Sequence, residues 1–363
     1  MKKKKWFFAA AAILLLGIMA LMGCAQQEGQ SGETAETAQQ GAGLQGSPGE
    51  AYYMIVPQSG DEYWYPVFAT FKEAGNRLGV RTVYVGAAEP DEESQAAAVE
   101  QALKENPKGI FVSPATSGGL KDVLDKAVDQ GVAVVTFAVD SPESKRQAYI
   151  GASHEEEGAQ AAYALAEELQ GQGKVMVLRN MGDAACEERT DAFVSVITTN
   201  YPGVEIVADD TANGDGDTAK VLVNSAAQAH ADLAGVFCPD TASALGAAAA
   251  AEEADSDIKC VCVGAGVPVL DLISEGGIWL AVCPDQGMQG YFGMTTLFTA
   301  AHPDLVSPMN DRKRTGENPV DIPYINSGIN LIKKENAEHY YIANYAELLG
   351  YDRVDELIAS GGE

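Results

Sequence analysis

The sequence predicts an α/β protein made of two doubly wound, parallel-sheet lobes, and two observations carry this prediction. Short apolar runs rich in Val and Ile recur along the chain, and segments with the periodicity of amphipathic helices lie between them. Apolar strands that alternate with helices are typical of parallel sheets covered on both faces. The pattern occurs twice, over about residues 51–151 and 152–282, so we expect two Rossmann-like lobes.

The predicted elements alternate in order along each lobe. Strands are predicted at 52–56, 80–85, 109–112, 132–137 and 149–150, and then at 174–178, 204–207, 235–237, 258–263 and 279–282. Apolar periodicity predicts helices around Phe68, Val99 and Leu124, and over 159–169, 191–199, 218–229 and 242–252.

The remaining segment, 284–363, is too short for a third domain of the same kind. It contains a predicted helix (286–301), a polar stretch (302–323), a strand (328–332) and an acidic helix near 335–349. We expect this segment to complete both lobes, so that the chain crosses between them three times. The expected lobes are 51–151 plus 284–323 and 152–283 plus 324–363.

The N-terminus has the features of a secretory signal peptide over residues 1–23. Four lysines at positions 2–5 precede an apolar run from Trp6 to Met22. The stretch from Leu21 to Cys24 resembles the lipobox of bacterial lipoproteins, in which the cysteine is lipidated and becomes the new N-terminus. The alternative is a membrane-spanning anchor, since the run is near the shortest length that spans a bilayer. Both alternatives place the remaining chain on the extracytoplasmic face of the cell membrane, and the lipobox predicts a lipid anchor there.

Composition indicates a tethered, acidic body. Residues 24–50 are rich in Gln, Gly, Ser, Thr and Glu, which predicts a disordered tether. The formal net charge of −28 argues against nucleic acid or anionic lipid as a partner. Five cysteines follow Cys24, and an odd number fits a disulfide framework poorly. We expect buried free thiols at Cys186, Cys238, Cys260, Cys262 and Cys283.

Several short motifs follow one another in a specific order. They are Lys72-Glu73-Ala74-Gly75, Val139-Asp140, Tyr149-Ile150-Gly151, the run from Glu188 to Phe193, Val236 to Asp240, Pro284-Asp285-Gln286 and Asn326 to Ile332. Together they resemble type I periplasmic binding proteins of the ribose and rhamnose kind, the substrate-binding components of ABC sugar importers. Repressors of the lactose type share these lobes, but here a signal peptide stands in place of their DNA-binding headpiece, which excludes them.

The resemblance implies a fold, a site and partners. Three crossovers are expected near 151–153, 282–284 and 323–326, and the lobes are expected to close on a ligand by hinge motion. The implied ligand is a sugar or a related small polar molecule, and the implied partner is an ABC permease. A monomer is expected, with no cofactor and no nucleic acid.

Tyr63, Trp64 and Tyr65 follow the first strand and are candidate ligand contacts. Sugar rings present C–H faces that stack on aromatic side chains. The family places an Asn and aromatic residues here, and Tyr65 stands at the polar position. The alternative is a surface aromatic cluster that covers the first helix.

Asp140, Arg189 and Asp240 match positions that bind ligand in the family. Asp140 and Asp240 would accept hydrogen bonds from hydroxyl groups, and the Arg189 guanidinium would donate a pair of them. Each has a structural alternative: a turn or helix cap at Asp140, a salt bridge of Arg189 with neighbouring acids on its own helix, and a helix N-cap at Asp240.

The chain departs from the family pattern at three places. Ser141 stands where an Arg follows the acid, Gly264-Ala265-Gly266 occupies the position of another acid, and Val282 or Cys283 replaces a Gln. Gln286 or Asp285 could supply polar groups to the ligand in place of those side chains. Gly264-Ala265-Gly266 predicts a tight turn at the cleft.

Candidates for catalysis are few, and no catalytic or metal-binding residue is predicted. The four histidines are far apart, and there is no Gly-x-Ser-x-Gly motif. Glu155, Glu156 and Glu157 are expected on a solvated helix face, and the acidic stretch 209–217 is expected to be a polar loop, although calcium binding is the alternative. Two other functions stay open: a ligand-sensing receptor that signals to a membrane histidine kinase, and an extracellular glycan hydrolase.

Overall fold

The computed structural model describes residues 44–306 except 59, 61 and the side chain of 62, together with 315, 317–320, 322–344 and 356. The predicted signal peptide, Cys24 and most of the predicted tether lie outside the described residues. Two six-stranded sheets, each with helices packed on its faces, confirm the predicted fold class. Within the described residues, no helix combines the length and apolarity needed to cross a membrane.

The first lobe is a parallel sheet with the strand order β11-β5-β4-β3-β1-β2. Its strands are β1 (Ala51–Val56), β2 (Arg81–Gly86), β3 (Gly109–Val112), β4 (Ala133–Phe137), β5 (Ala148–Gly151) and β11 (Tyr324–Asn326). Its helices are α1 (Tyr65–Leu78), α2 (Glu92–Lys104), α3 (Lys121–Asp129) and α9 (Gln286–Ala301), and α10 (Pro303–Val306) follows α9.

The second lobe repeats this order as β12-β10-β9-β8-β6-β7. Its strands are β6 (Gly173–Arg179), β7 (Val204–Thr211), β8 (Leu233–Cys238), β9 (Lys259–Val263), β10 (Leu280–Pro284) and β12 (Ile329–Ile332). Its helices are α4 (His154–Glu168), α5 (Ala184–Asn200), α6 (Gly216–Ala229), α7 (Thr241–Glu253) and α8 (Val267–Glu275).

The chain passes between the lobes three times, always at the carboxyl end of a strand. It crosses from β5 to α4, from β10 to α9, and from β11 to β12. The last crossing has no helix, so β12 enters the second sheet from its carboxyl edge and pairs antiparallel with β10. The carboxyl ends of both sheets therefore face the hinge and the space between the lobes.

Two expected boundaries fall elsewhere in the structure. Tyr324–Asn326 pairs with β5 of the first sheet, so the third crossing follows Asn326 instead of preceding Tyr324. At the other end, Gly46 N donates to Leu78 O at 2.8 Å and His302 Nε2 lies 2.8 Å from Glu50 Oε2. Residues 44–50, expected to be tether, therefore pack on the first lobe.

The sequence patterns missed or misjudged three elements. Helix α8 has only nine residues, and its first turn is apolar, contains Pro268 and follows Gly264-Ala265-Gly266 directly, so the segment was interpreted as a turn. Strand β11 has three residues, too few for a periodicity signal. In the region of the helix expected near 335–349, the described residues form a 3-10 turn over Ala337–Tyr340 and are helical at 342–344, and residues 345–349 lie outside the described residues.

Apolar side chains cover both faces of each sheet, as parallel strands require. Tyr52 and Met54 of β1 pack on one face of the first sheet, and Ile55 packs on the other. Helices that enter a lobe after a crossing approach their neighbours through glycine: a Cβ on Gly290 of α9 would lie 1.9 Å from Val67 O of α1. Gly158 of α4 has the same relation to Arg189 O of α5, also at 1.9 Å.

The five described cysteines are buried and free, which confirms that prediction. Burial raises the pKa of Cys186 to about 11 and the pKa values of Cys260 and Cys283 to about 12. These thiols are therefore protonated at neutral pH and act as small apolar side chains of the second lobe.

Candidate functional site

The candidate site lies where the carboxyl ends of the two sheets face each other. In open α/β sheets, ligands bind at the carboxyl ends of the strands. Asp140 follows β4, Asp240 follows β8, and Arg189 lies on α5 after β6. The fold therefore brings the predicted charged residues to the space between the lobes, two from the second lobe and one from the first.

The three aromatic candidates occupy different environments. Trp64 is 8% exposed and packs edge-on against Phe137 of β4, with ring centroids 5.7 Å apart. Tyr65 is partly buried as the first residue of α1, with its ring 6.1 Å from that of Tyr84. Tyr63 is 39% exposed and stands edge-on to Trp64 at 4.7 Å. Of the three, Tyr63 offers the largest surface to a ligand, and Trp64 belongs to the core.

Gln286 supports this aromatic loop from the second crossing. Its Nε2 donates to Tyr63 O at 2.8 Å. A cavity of about 340 Å³ adjoins this contact, lined by Tyr63 and Pro66 of the first lobe and by Gly266 and Val267 of the second. That volume suits a small molecule. Since the amide nitrogen of Gln286 already bonds to the loop, its clearest role is positional.

A larger cavity of about 470 Å³ lies nearby beside the second crossing. It is lined by Thr70, Pro284 and Tyr291, among others, and its surface is mostly apolar. Asp140, Arg189 and Asp240 line neither cavity. The smaller cavity contains two of the predicted contacts, Tyr63 and Gln286, and the larger one contains only Gln286.

Asp140 forms a bidentate ion pair with Arg146, which the sequence motifs did not single out. Arg146 Nε donates to Asp140 Oδ1 and its Nη2 donates to Oδ2, each at 2.5 Å. Asp140 Oδ1 also accepts from Thr136 Oγ1 at 2.6 Å and from Ser141 N at 2.7 Å. Arg146 thus supplies the guanidinium that is missing at Ser141. The family pattern concerns only the adjacent position, so it could not reveal Arg146.

The backbone that leads to Asp140 is strained. Ala138 has φ 55°, a left-handed conformation that is costly for a residue with a Cβ. Tyr149 fixes it there, because its hydroxyl donates to Ala138 O at 3.0 Å. Burial raises the pKa of Tyr149, and Asp140 adds to the shift, so this hydroxyl stays protonated.

Arg189 is held by an acid from a different helix than expected. Its Nε donates to Glu157 Oε2 of α4 at 2.7 Å, and its Nη1 donates to Pro239 O at 3.4 Å. His154 Nδ1 lies 3.1 Å from the same Glu157 oxygen. The expectation that Glu157 faces solvent is wrong: it is fully buried, because α4 turns this position towards α5.

Their mutual attraction keeps Glu157 and Arg189 ionised. Burial acts to raise the pKa of Glu157, but His154 and the Arg189 guanidinium together hold it below the usual value. Burial likewise acts to lower the pKa of Arg189, and Glu157 more than offsets this. The pair is therefore charged on both sides at neutral pH.

Asp240 acts as the N-cap of α7, the structural alternative considered for it. Its Oδ1 accepts from Ser243 N at 2.8 Å and its Oδ2 from Ser243 Oγ at 3.1 Å. Asn180 Nδ2, from the loop after β6, reaches Asp240 Oδ2 at 3.4 Å. Asn180 is a further polar residue beside the candidate site that the sequence patterns did not reveal.

The described residues give no support for metal chemistry. They contain no group of three or more His, Cys, Asp or Glu side chains placed to hold an ion. Asp215, in the acidic stretch, caps α6 by accepting from Thr218 N at 2.7 Å.

Comparison with known proteins points to one family. A model of the periplasmic binding protein domain matches residues 52–302. A sugar-binding protein of a sugar ABC transporter from Bacillus halodurans is 31% identical, with a TM-score of 0.73 over 80% of this chain and 100% of that one. An arabinose binding protein from Geobacillus stearothermophilus is 28% identical, with a TM-score of 0.74 over 80% of this chain and 99% of that one.

A curated relative agrees over a shorter span. The ribose import binding protein of Bacillus subtilis is 25% identical over 191 residues, which cover 52% of this chain and 61% of the relative. The two-lobed fold, the hinge of three crossings and these matches lead to the same conclusion: the chain belongs to the periplasmic binding protein family.

Proposed function

We propose that this protein captures a sugar between its two lobes and delivers it to an ABC permease in the membrane. The observation that carries the proposal is the two-sheet topology, in which Asp140, Arg189 and Asp240 follow strands whose carboxyl ends face a three-crossing hinge. Family membership supports it, and so do the relatives, which are described as binding ribose and arabinose.

Each group would contribute a distinct contact. Asp140 and Asp240 would accept hydrogen bonds from sugar hydroxyls, and the outer N–H groups of Arg189 would donate to ring or hydroxyl oxygens. The exposed ring of Tyr63 would stack on a C–H face of the sugar. Closure of the hinge would bury the ligand and remove these contacts from water.

Thermal-shift measurements with a sugar panel test this function. The panel contains D-ribose, L-arabinose, D-xylose and D-galactose, and we expect at least one sugar to raise the melting temperature. Asp140→Ala and Arg189→Ala should abolish that shift.

Two controls remove charges far from the cleft. Asp129→Ala breaks the surface pair with Lys145, and Lys174→Ala breaks the pair with Asp232 at the opposite end of β6. Both should keep the ligand-induced shift. Unchanged shifts in Asp140→Ala and Arg189→Ala would contradict the proposed cleft.

We also propose that lipid at Cys24 anchors the protein, as a monomer, near its permease. Cys24 lies outside the described residues, and its position after the apolar run supports the proposal. Cys24→Ser should release the protein from the membrane fraction of its host, whereas Cys186→Ser should leave it bound. Retention of the Cys24→Ser variant would contradict lipid anchoring.

A further inference from the structure

We propose that Glu157 positions Arg189 and cancels its charge, so that the cleft selects neutral sugars over sugar acids. This inference rests on the proposed function and refines its substrate class. Glu157 contacts Arg189, the candidate ligand-binding residue. Because Glu157 is fully buried, it does not reach the space that a ligand would occupy. Its role would therefore act through Arg189.

The position of Glu157 is fixed by backbone packing. The next residue, Gly158, brings α4 so close to α5 that a Cβ there would lie 1.9 Å from Arg189 O. Two backbones in contact leave little freedom for the side chains between them. The 2.7 Å contact between Glu157 Oε2 and Arg189 Nε is therefore built into the helix pair.

The contacts of Arg189 use one arm of each guanidinium fork. A guanidinium binds a carboxylate through two parallel N–H bonds, with either Nε and one Nη or both Nη atoms. Glu157 takes Nε, Pro239 O and Cys186 Sγ lie within reach of Nη1, and His154 Nδ1 lies 3.4 Å from Nη2. Every nitrogen of the guanidinium therefore has a protein partner, so an N–H that remains can serve a single hydroxyl but neither fork is open for a ligand carboxylate.

The charges around the cleft point the same way. Arg189 is balanced by Glu157 in the second lobe, and Asp140 is balanced by Arg146 in the first. Asp240 adds a further carboxylate next to Asn180. A carboxylate-bearing ligand would meet a neutral or negative surface, while a neutral polyol would meet both donors and acceptors.

The test compares neutral sugars with sugar acids. Isothermal titration would use the best-binding neutral sugar of the panel, together with D-galacturonate and D-gluconate, on the wild type, Glu157→Gln and Glu155→Gln. Glu155→Gln removes the same charge from the exposed face of the same helical turn. One charged hydrogen bond corresponds to roughly tenfold or more in affinity.

We expect the wild type and Glu155→Gln to bind the neutral sugar and neither acid. Glu157→Gln should bind the neutral sugar about tenfold or more weakly and gain measurable affinity for an acid, a reversal that simple loss of stability would not produce. If Glu157→Gln bound the neutral sugar and the two acids with the same affinities as Glu155→Gln, the inference would be overturned. So would wild-type binding of an acid as tightly as the sugar, a measurement that does not depend on the variant folding. If the wild type bound no panel sugar at all, the proposed function itself would fail.

Discussion

The two lobes share one strand order but hold their candidate charged residues in opposite ways. In the first lobe an acid faces the cleft and an arginine holds it; in the second lobe an arginine faces the cleft and an acid holds it. Each pair lies within one lobe, so neither pair bridges the two lobes. Hinge motion can therefore open and close the cleft without separating either pair.

The two ion pairs, Asp140 with Arg146 and Glu157 with Arg189, differ in rigidity. Asp140 and Arg146 lie in a loop after β4, and their side chains are 21% and 13% exposed. Glu157 and Arg189 lie on two helices in backbone contact, and the Glu157 side chain has no exposed surface. We infer that the first-lobe pair is adaptable, while the second-lobe pair is part of the packing.

The largest expected difference concerns the two supporting residues. Glu157→Ala should lower the free energy of unfolding by about 3 kcal/mol, because it leaves Arg189 largely buried without its counter-charge. Arg146→Ala should cost about 1 kcal/mol, since Asp140 is partly solvated and keeps bonds from Thr136 and Ser141. Urea unfolding of the ligand-free proteins measures both. Equal losses would contradict the proposed difference in rigidity.

Substitution at the contact between α4 and α5 should have the next largest effect on the free energy of unfolding. Gly158→Ala should cost roughly 1–3 kcal/mol, because its Cβ cannot fit against Arg189 O unless α4 and α5 separate. Ligand affinity should fall as well, since Arg189 would move. Gly49→Ala is the control, because its Cβ would meet only Ser47 Oγ at 3.8 Å. Unchanged melting temperature and affinity in Gly158→Ala would argue against a fixed helix pair.

Lowering the pH should progressively remove the contribution of the Glu157–Arg189 pair to the free energy of unfolding. The pKa of Glu157 is held below the usual value of 4.5, so its contribution to stability is present above about pH 4.5 and is lost as the pH falls through the lower, folded-state pKa. Below pH 4.5 the stability gap between the wild type and Glu157→Gln should narrow. A gap that stays constant between about pH 7 and about pH 3 would show that Glu157 acts by packing and not by charge.

The smallest expected effect concerns the strained residue before Asp140. Ala138→Gly should raise the free energy of unfolding by about 0.5–1 kcal/mol, because glycine adopts φ 55° without steric cost. Ala97→Gly, on the exposed face of α2, should lower it by a similar amount. Loss of stability in Ala138→Gly would mean that the left-handed conformation carries little strain.

Much of the fold could be predicted from sequence, because its strands are continuous apolar runs. Ten strands of the two alternating regions and the three-crossing topology follow from that pattern. Strand β11 and helix α8 were missed because both are short: β11 has three residues, and α8 has nine, with an apolar first turn that contains a proline. Periodicity becomes visible only over several turns or residue pairs, so short elements show little of it.

The site was harder to predict, because its key contacts join distant parts of the chain. The motifs located Asp140, Arg189 and Asp240, but Arg146 and Glu157 carry no motif. Glu157 is separated from Arg189 by 32 positions and appears in sequence as one of three consecutive acids. Only the packing of α4 against α5 shows that Glu157 is buried, whereas Glu155 and Glu156 are exposed.

Small-angle X-ray scattering with and without the best-binding panel sugar tests the two-lobed capture mechanism most directly. We predict that saturating sugar reduces the radius of gyration of the wild type, as the lobes close, and leaves that of Asp140→Ala and Arg189→Ala unchanged. A wild-type radius of gyration that stays the same at saturating sugar would contradict capture by closure of the lobes.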